Sequence, residues 1–83
     1  MTESRNRTVG IVIYEQVEVL DFTGPFEVFS VTRTDPEADR QSPLPYSVRL
    51  IAQSMQTVTA TGGMRVLPDF SFSDCPALEI LVV

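Results

Sequence analysis

The sequence has no histidine, no lysine and one cysteine, and each shortage removes a class of chemistry. Without histidine the commonest metal ligand and the commonest general base are both missing. A lone thiol, Cys75, excludes an internal disulfide and makes a closed cysteine zinc site unworkable. All 6 basic residues are arginine, set against 11 acids for a net charge of −5. The arginines do not cluster, so they do not supply the phosphate contacts that binding to nucleic acid or an anionic membrane requires. No apolar run approaches the roughly 18 residues of a membrane span, and residues 1–8 lack the hydrophobic centre of a signal peptide. The expectation is a reduced, cytoplasmic protein that meets neither membrane nor nucleic acid through these residues.

What is present suits a small globular domain. Hydrophobic residues make up 43% of 83 positions, enough for a core. A chain of this length buries only about two-thirds or less of its unfolded surface.

Residues 1–7 read as a polar, disordered lead-in. Residues 8–14 form a near-continuous β-branched run, the mark of a strand buried on both faces as in parallel sheets. Residues 15–20 turn off that strand, and Gly24-Pro25 reads as a helix start, because proline at the first helical position loses no bond. Phe22, Phe26 and Phe29 follow the i, i+4, i+7 spacing of one helical face and read as core. Residues 33–45, rich in Asp, Pro, Ser and Arg, read as an exposed loop.

Residues 46–52 suit a second strand, nearer the sheet edge than the first. The order strand, helix, strand implies a right-handed crossover and a parallel pair. Residues 57–67 read as a hairpin about Gly62-Gly63. A phosphate-cradling loop is the sharper reading of those glycines, but a strand and not a helix follows them. Residues 69–76 read as turn material with Ser71, Ser73 and Asp74 as caps. Residues 78–83 read as another buried strand, and a domain seldom ends inside one, so the chain is expected to be the amino-terminal part of something longer.

The chemical candidates are few. Asp21 falls in the turn after the first strand, at the carboxyl end of the sheet, where open α/β folds place their ligands. Flanked by Leu20 and Phe22, it reads as a buried acid able to shuttle protons or hold a nucleophile. It reads also as a turn cap bonded to the N–H of Thr23 or Gly24, and pattern alone favours the cap. Glu15 and Glu18 are potential carboxylate neighbours. Tyr14, at the end of the first strand, reads either as pocket lining or as packing. Cys75 precedes the last strand, so it should lie about 15–20 Å from Asp21, at the opposite end of a parallel sheet. It also lacks a glycine-flanked elbow, and reads as a small buried hydrophobe.

Residues 9–14, then Glu-Val-Leu-Asp-Phe-Thr-Gly-Pro-Phe-Glu-Val-Phe at 18–29, Gly-Met-Arg-Val-Leu-Pro-Asp at 63–69 and Leu-Glu-Ile-Leu-Val-Val at 78–83, resemble the opening of the ThiJ/PfpI superfamily, the class I glutamine amidotransferase-like domains. Aspartate followed by Gly-Pro is more like two branches, the isonitrile hydratases and the sensor domains of AraC-type transcription regulators. The resemblance implies a flavodoxin-like three-layer α/β sandwich with a mostly parallel sheet, of which residues 8–83 form the amino-terminal part, and a homodimer. It implies a small-molecule substrate or ligand, with Tyr14 and Gly24 in its pocket, and no metal or organic cofactor. In the enzymes of the family the acid matching Asp21 contacts a nucleophilic cysteine on an elbow beyond the region matching this chain. The expected function is isonitrile hydration; the alternatives are ligand sensing in a transcription regulator, or a truncated product with no activity.

Overall fold

In the computed structural model, which describes residues 7–32 and 45–83, the first β-branched run forms β1 (Arg7–Val12). Residues 1–6, expected as a lead-in, and 33–44 of the expected loop lie outside the described residues. α1 (Val19–Val31) follows, then β2 (Tyr46–Ala52). Two short strands, β3 (Val58–Thr59) and β4 (Arg65–Val66), pair antiparallel, and β5 (Phe70–Ser71) and β6 (Ile80–Val82) complete the chain. The main sheet is parallel throughout, in the order β5-β2-β1-β6. This is the flavodoxin-like arrangement that the sequence implied.

The near-continuous apolar composition of β1 is explained by its place between β2 and β6. Val9, Ile11 and Ile13 join Val48 and Ala52 of β2 and Phe22 of α1 in one buried cluster. The opposite face is held differently. A Cβ on Gly10 would come within 2.6 Å of Ile51 Cδ1 and 2.7 Å of Leu78 Cδ1, so the glycine is what lets those two side chains close over β1. Among the described residues no helix covers that second face. β2 is also interior to the sheet, although its outer neighbour β5 is only two residues long.

Two acids extend the parallel ladders. Asp69, just before β5, donates its N–H to the Leu50 carbonyl (2.7 Å) and accepts the Leu50 N–H on Oδ2 (2.8 Å). Glu79, just before β6, does the same with Thr8, at 3.0 Å and 3.2 Å. Each closes a ring with one residue of the neighbouring strand, satisfying backbone groups where the short strand has not yet begun.

Three expectations need correction. The helix begins at Val19, not at Gly24-Pro25, and Pro25 lies inside it. Burial of Phe22 (4% exposed) and Val17 (2%) draws the chain into helix a turn and a half early. That outweighs the loss of one backbone bond, since Pro25 has no N–H to give to the Asp21 carbonyl. The phenylalanine stripe is not uniformly core. Phe22 is buried and Phe29 packs edge-on against Tyr46 with ring centroids 5.1 Å apart, whereas Phe26 is 37% exposed. Finally, residues 69–76 are not all turn, because Phe70 and Ser71 pair with Ile51 and Ala52.

Within that segment Asp74 caps as expected. Its Oδ1 accepts the Ser71 N–H (2.9 Å) and the Ser71 hydroxyl (2.8 Å). The hydroxyl bond first, and then the backbone bond, hold the Asp74 carboxyl below its ordinary value. Ser71 is thereby buried with its hydroxyl satisfied, and that hydroxyl also lies 3.0 Å from Ser73 Oγ.

Candidate functional site

The sheet order creates the site. From β1 the chain steps to β2 and β5 on one side, then crosses to β6 on the other, so the direction of winding reverses between β1 and β6. Crevices form at the carboxyl ends of strands flanking such a reversal, because the following segments diverge to opposite sides. A cleft of about 410 Å³ lies there, lined by Tyr14, Val17, Asp21, Pro25, Val82 and Val83 together with Ile11 and Val12.

Asp21 enters the cleft from the first turn of α1, where the helix dipole favours an acid. Its N–H donates to the carbonyl of Glu18, the N-cap residue, at 3.0 Å. The carboxyl is exposed and not buried as the flanking leucine and phenylalanine suggested, since those neighbours point elsewhere on the helix. Among the described residues it accepts no hydrogen bond from Thr23 or Gly24, and the Thr23 hydroxyl donates instead to the Val19 carbonyl (2.8 Å). The capping reading of Asp21 therefore fails, and a carboxylate with no partner among the described residues faces the cleft.

Tyr14 lines the same cleft and is 55% exposed, so it is not core packing. Gly24 does not line it. One residue of helical rotation carries that position aside, and Pro25 takes the wall. Glu18 is exposed and makes no side-chain cap. Glu15 turns away, accepting the Thr59 N–H on Oε2 at 3.2 Å. Among the described residues no carboxylate pairs with Asp21. Cys75 lies before β6, whose register with β1 (Val9 with Ile80) puts it at the far end of the sheet. It is half-buried, and its thiol donates to the Pro76 carbonyl at 3.1 Å. Among the described residues no three acids or thiols gather closely enough to hold a metal ion, and no helix is long and apolar enough to cross a membrane.

The turn between Tyr14 and Asp21 is held from outside. Gln16 has a φ of +68°, a left-handed conformation that costs a non-glycine residue about 1 kcal/mol or more. Three bonds to β3 and the turn after it hold the segment in place. Gln16 N–H donates to the Thr59 carbonyl (2.7 Å), the Thr61 hydroxyl to the Gln16 carbonyl (2.7 Å), and Thr61 N–H to the Val17 carbonyl (2.9 Å). The hairpin expected about Gly62-Gly63 is present, with φ of +90° and +101° at those glycines. Its role is a brace for this turn, with Val58 and Ala60 buried in the core cluster beside Val17. Gln16 and Val83 were not singled out from sequence, and Pro25 was read there as a helix start and not as part of a cleft wall.

Comparison with known proteins agrees with this geometry. No family model matches the chain. An isonitrile hydratase of Pseudomonas putida is 30% identical over 75 residues, covering 90% of this chain and 28% of that protein. A ThiJ/PfpI family protein from Pseudomonas syringae superposes with a TM-score of 0.71 at 23% identity, over 92% of this chain and 27% of the other. A second, from Bacillus anthracis, gives a TM-score of 0.64 at 16% identity, over 90% and 34%. The chain spans little more than a quarter of the curated relative's length. The structural likenesses show a shared fold.

Proposed function

We propose, from the ThiJ/PfpI fold that this chain carries, that the protein of which it is a part adds water to a small isonitrile and releases an N-substituted formamide. The observation that carries the reading is the Asp21 carboxylate, exposed in the switch-point cleft with no partner among the described residues. The printed name of the Pseudomonas putida relative supplies the reaction class.

In this reading a thiolate from a segment outside this chain attacks the terminal carbon of the isonitrile. That carbon takes a proton, giving a thioimidate. Water then adds to the same carbon, and collapse of the adduct expels the thiol and leaves the formamide. Asp21 carries protons between water and the reacting carbon and nitrogen, a role for which its position matters more than its environment. β6 directs Val83 into the cleft, so a longer chain would enter beside Asp21 at that point. No metal or organic cofactor takes part in these steps.

Asp21→Asn keeps the shape and removes the proton carrier. Isonitrile consumption, followed by loss of the triple-bond stretch in the infrared, should fall about 10²–10⁴-fold, with the unfolding midpoint of the variant close to that of the parent. Undiminished consumption would overturn the reading and favour a ligand-sensing role for the same cleft.

A further inference from the structure

A second hollow opens on the other side of Tyr14. It measures about 280 Å³ and shares Val12 and Tyr14 with the Asp21 cleft, so the two adjoin along the carboxyl edge of the sheet. Their linings differ in kind. The cleft is apolar apart from Asp21 and the Tyr14 phenol. The hollow is lined by Gln53, Ser54, Gln56 and Thr57 from the loop after β2, with Phe72 as an exposed aromatic wall.

Among the described residues, the side-chain amides of Gln53 and Gln56 and the Thr57 hydroxyl have no protein partner. The Ser54 hydroxyl only receives the Gln56 N–H at 3.3 Å. Among the described residues Glu15 is the one charged group in the lining, and its carboxylate already accepts the Thr59 N–H. Such a wall offers donors and acceptors together and disfavours an anion. Its volume sits near the lower end for small-molecule sites, about 300 Å³, enough for a short polar tail and too little for a large ligand.

We propose that this hollow seats the substituent on the isonitrile nitrogen, and that it selects uncharged tails bearing a carboxamide or hydroxyl over purely hydrocarbon ones. This rests on the reading of the Asp21 cleft as the reacting end. With the isonitrile carbon beside Asp21, Tyr14 separates the two compartments, and the tail passes it to reach the glutamines. Specificity then resides in a loop that contributes nothing to the chemical step.

The test compares two substrates in the complete protein, tert-butyl isonitrile and an isonitrile with a short alkyl tail ending in a primary carboxamide. In a Gln53→Leu/Gln56→Leu variant, the ratio of kcat/KM for the carboxamide substrate over tert-butyl isonitrile should fall about ten-fold. That is what two modest uncharged hydrogen bonds are worth. An unchanged ratio overturns the inference. An unreactive probe, the N-alkylformamide with the same carboxamide tail, separates this result from failure of the reaction itself. Its titration should shift the NMR signals of the Gln53 and Gln56 side-chain amides. If neither isonitrile is consumed yet the probe moves those signals, the reaction assignment falls and the hollow stands as a carboxamide site. If the probe leaves them unmoved, the inference falls whatever the turnover.

Discussion

Gly10 offers the sharpest test of the packing. It sits in the middle of the central strand, where a Cβ would approach Ile51 Cδ1 to 2.6 Å and Leu78 Cδ1 to 2.7 Å. Carbon pairs prefer about 3.5–4.0 Å, so both tips must withdraw by nearly 1 Å. Ile51 is 1% exposed and has nowhere to go, whereas half-buried Leu78 can swing outward at the expense of its own burial. Alanine is better than glycine in a strand by about 0.5–1 kcal/mol, and overpacking costs about 1–3 kcal/mol. Gly10→Ala should therefore destabilise by about 0.5–2 kcal/mol, and Gly10→Val by more. Removing the obstacle provides the control. In a Leu78→Ala background Gly10→Ala should cost at least about 1 kcal/mol less, a coupling readily measured between touching residues. Urea unfolding followed by circular dichroism reads this directly, because at about 1 kcal/mol per molar urea the midpoint moves by roughly 0.5–2 M. Equal costs in the two backgrounds, or a raised midpoint for Gly10→Ala, would refute the reasoning.

Other substitutions test other parts. Phe22→Ala should cost about 3–5 kcal/mol, a large share of the stability of so small a chain, while Phe26→Ala should cost under about 1.5 kcal/mol; thermal unfolding separates them, and similar midpoints would restore the stripe as uniform core. Pro25→Ala gives the Asp21 carbonyl an N–H partner, so the midpoint should rise, and a fall would mean the ring itself is needed in the cleft wall. Asp74 is held below its ordinary value of 3.8 by the Ser71 hydroxyl and N–H. Its contribution is thus fully present above that pH and is lost as the pH falls through the lower folded value. Asp74→Asn should remove that part of the acid dependence, and an unchanged acid limb in pH-dependent unfolding would contradict it.

Much of this arrangement was legible because the strands are strongly β-branched. Residues 46–52 were placed to the residue, and the parallel pairing of that strand with β1 followed from the right-handed crossover. The errors came where tertiary contacts overrode local signals. Pro25 looked like a helix start because proline fits the first position best, yet the helix is fixed by what Phe22 buries a turn earlier. Asp21 looked buried because its sequence neighbours are apolar. In a helix those neighbours point about 100° away, so an acid between Leu20 and Phe22 can face solvent. β5 was invisible for a different reason. A two-residue strand has no periodicity, and its attachment depends on the Asp69 carboxylate ring, which sequence cannot distinguish from turn chemistry.

The left-handed Gln16 has a consequence in time as well as in space. Its carbonyl is held by a hydroxyl 45 positions further along the chain. Closing so long a loop comes late, since its entropy is lost before the contact repays it. α1 and its pairing with β1 and β2 can form from nearer contacts, but the segment between Tyr14 and Asp21 cannot reach its final shape until residues 58–61 have arrived. The acid's setting is therefore complete only after that hairpin docks, and a nascent chain released before then would have its sheet begun and its carboxylate unplaced.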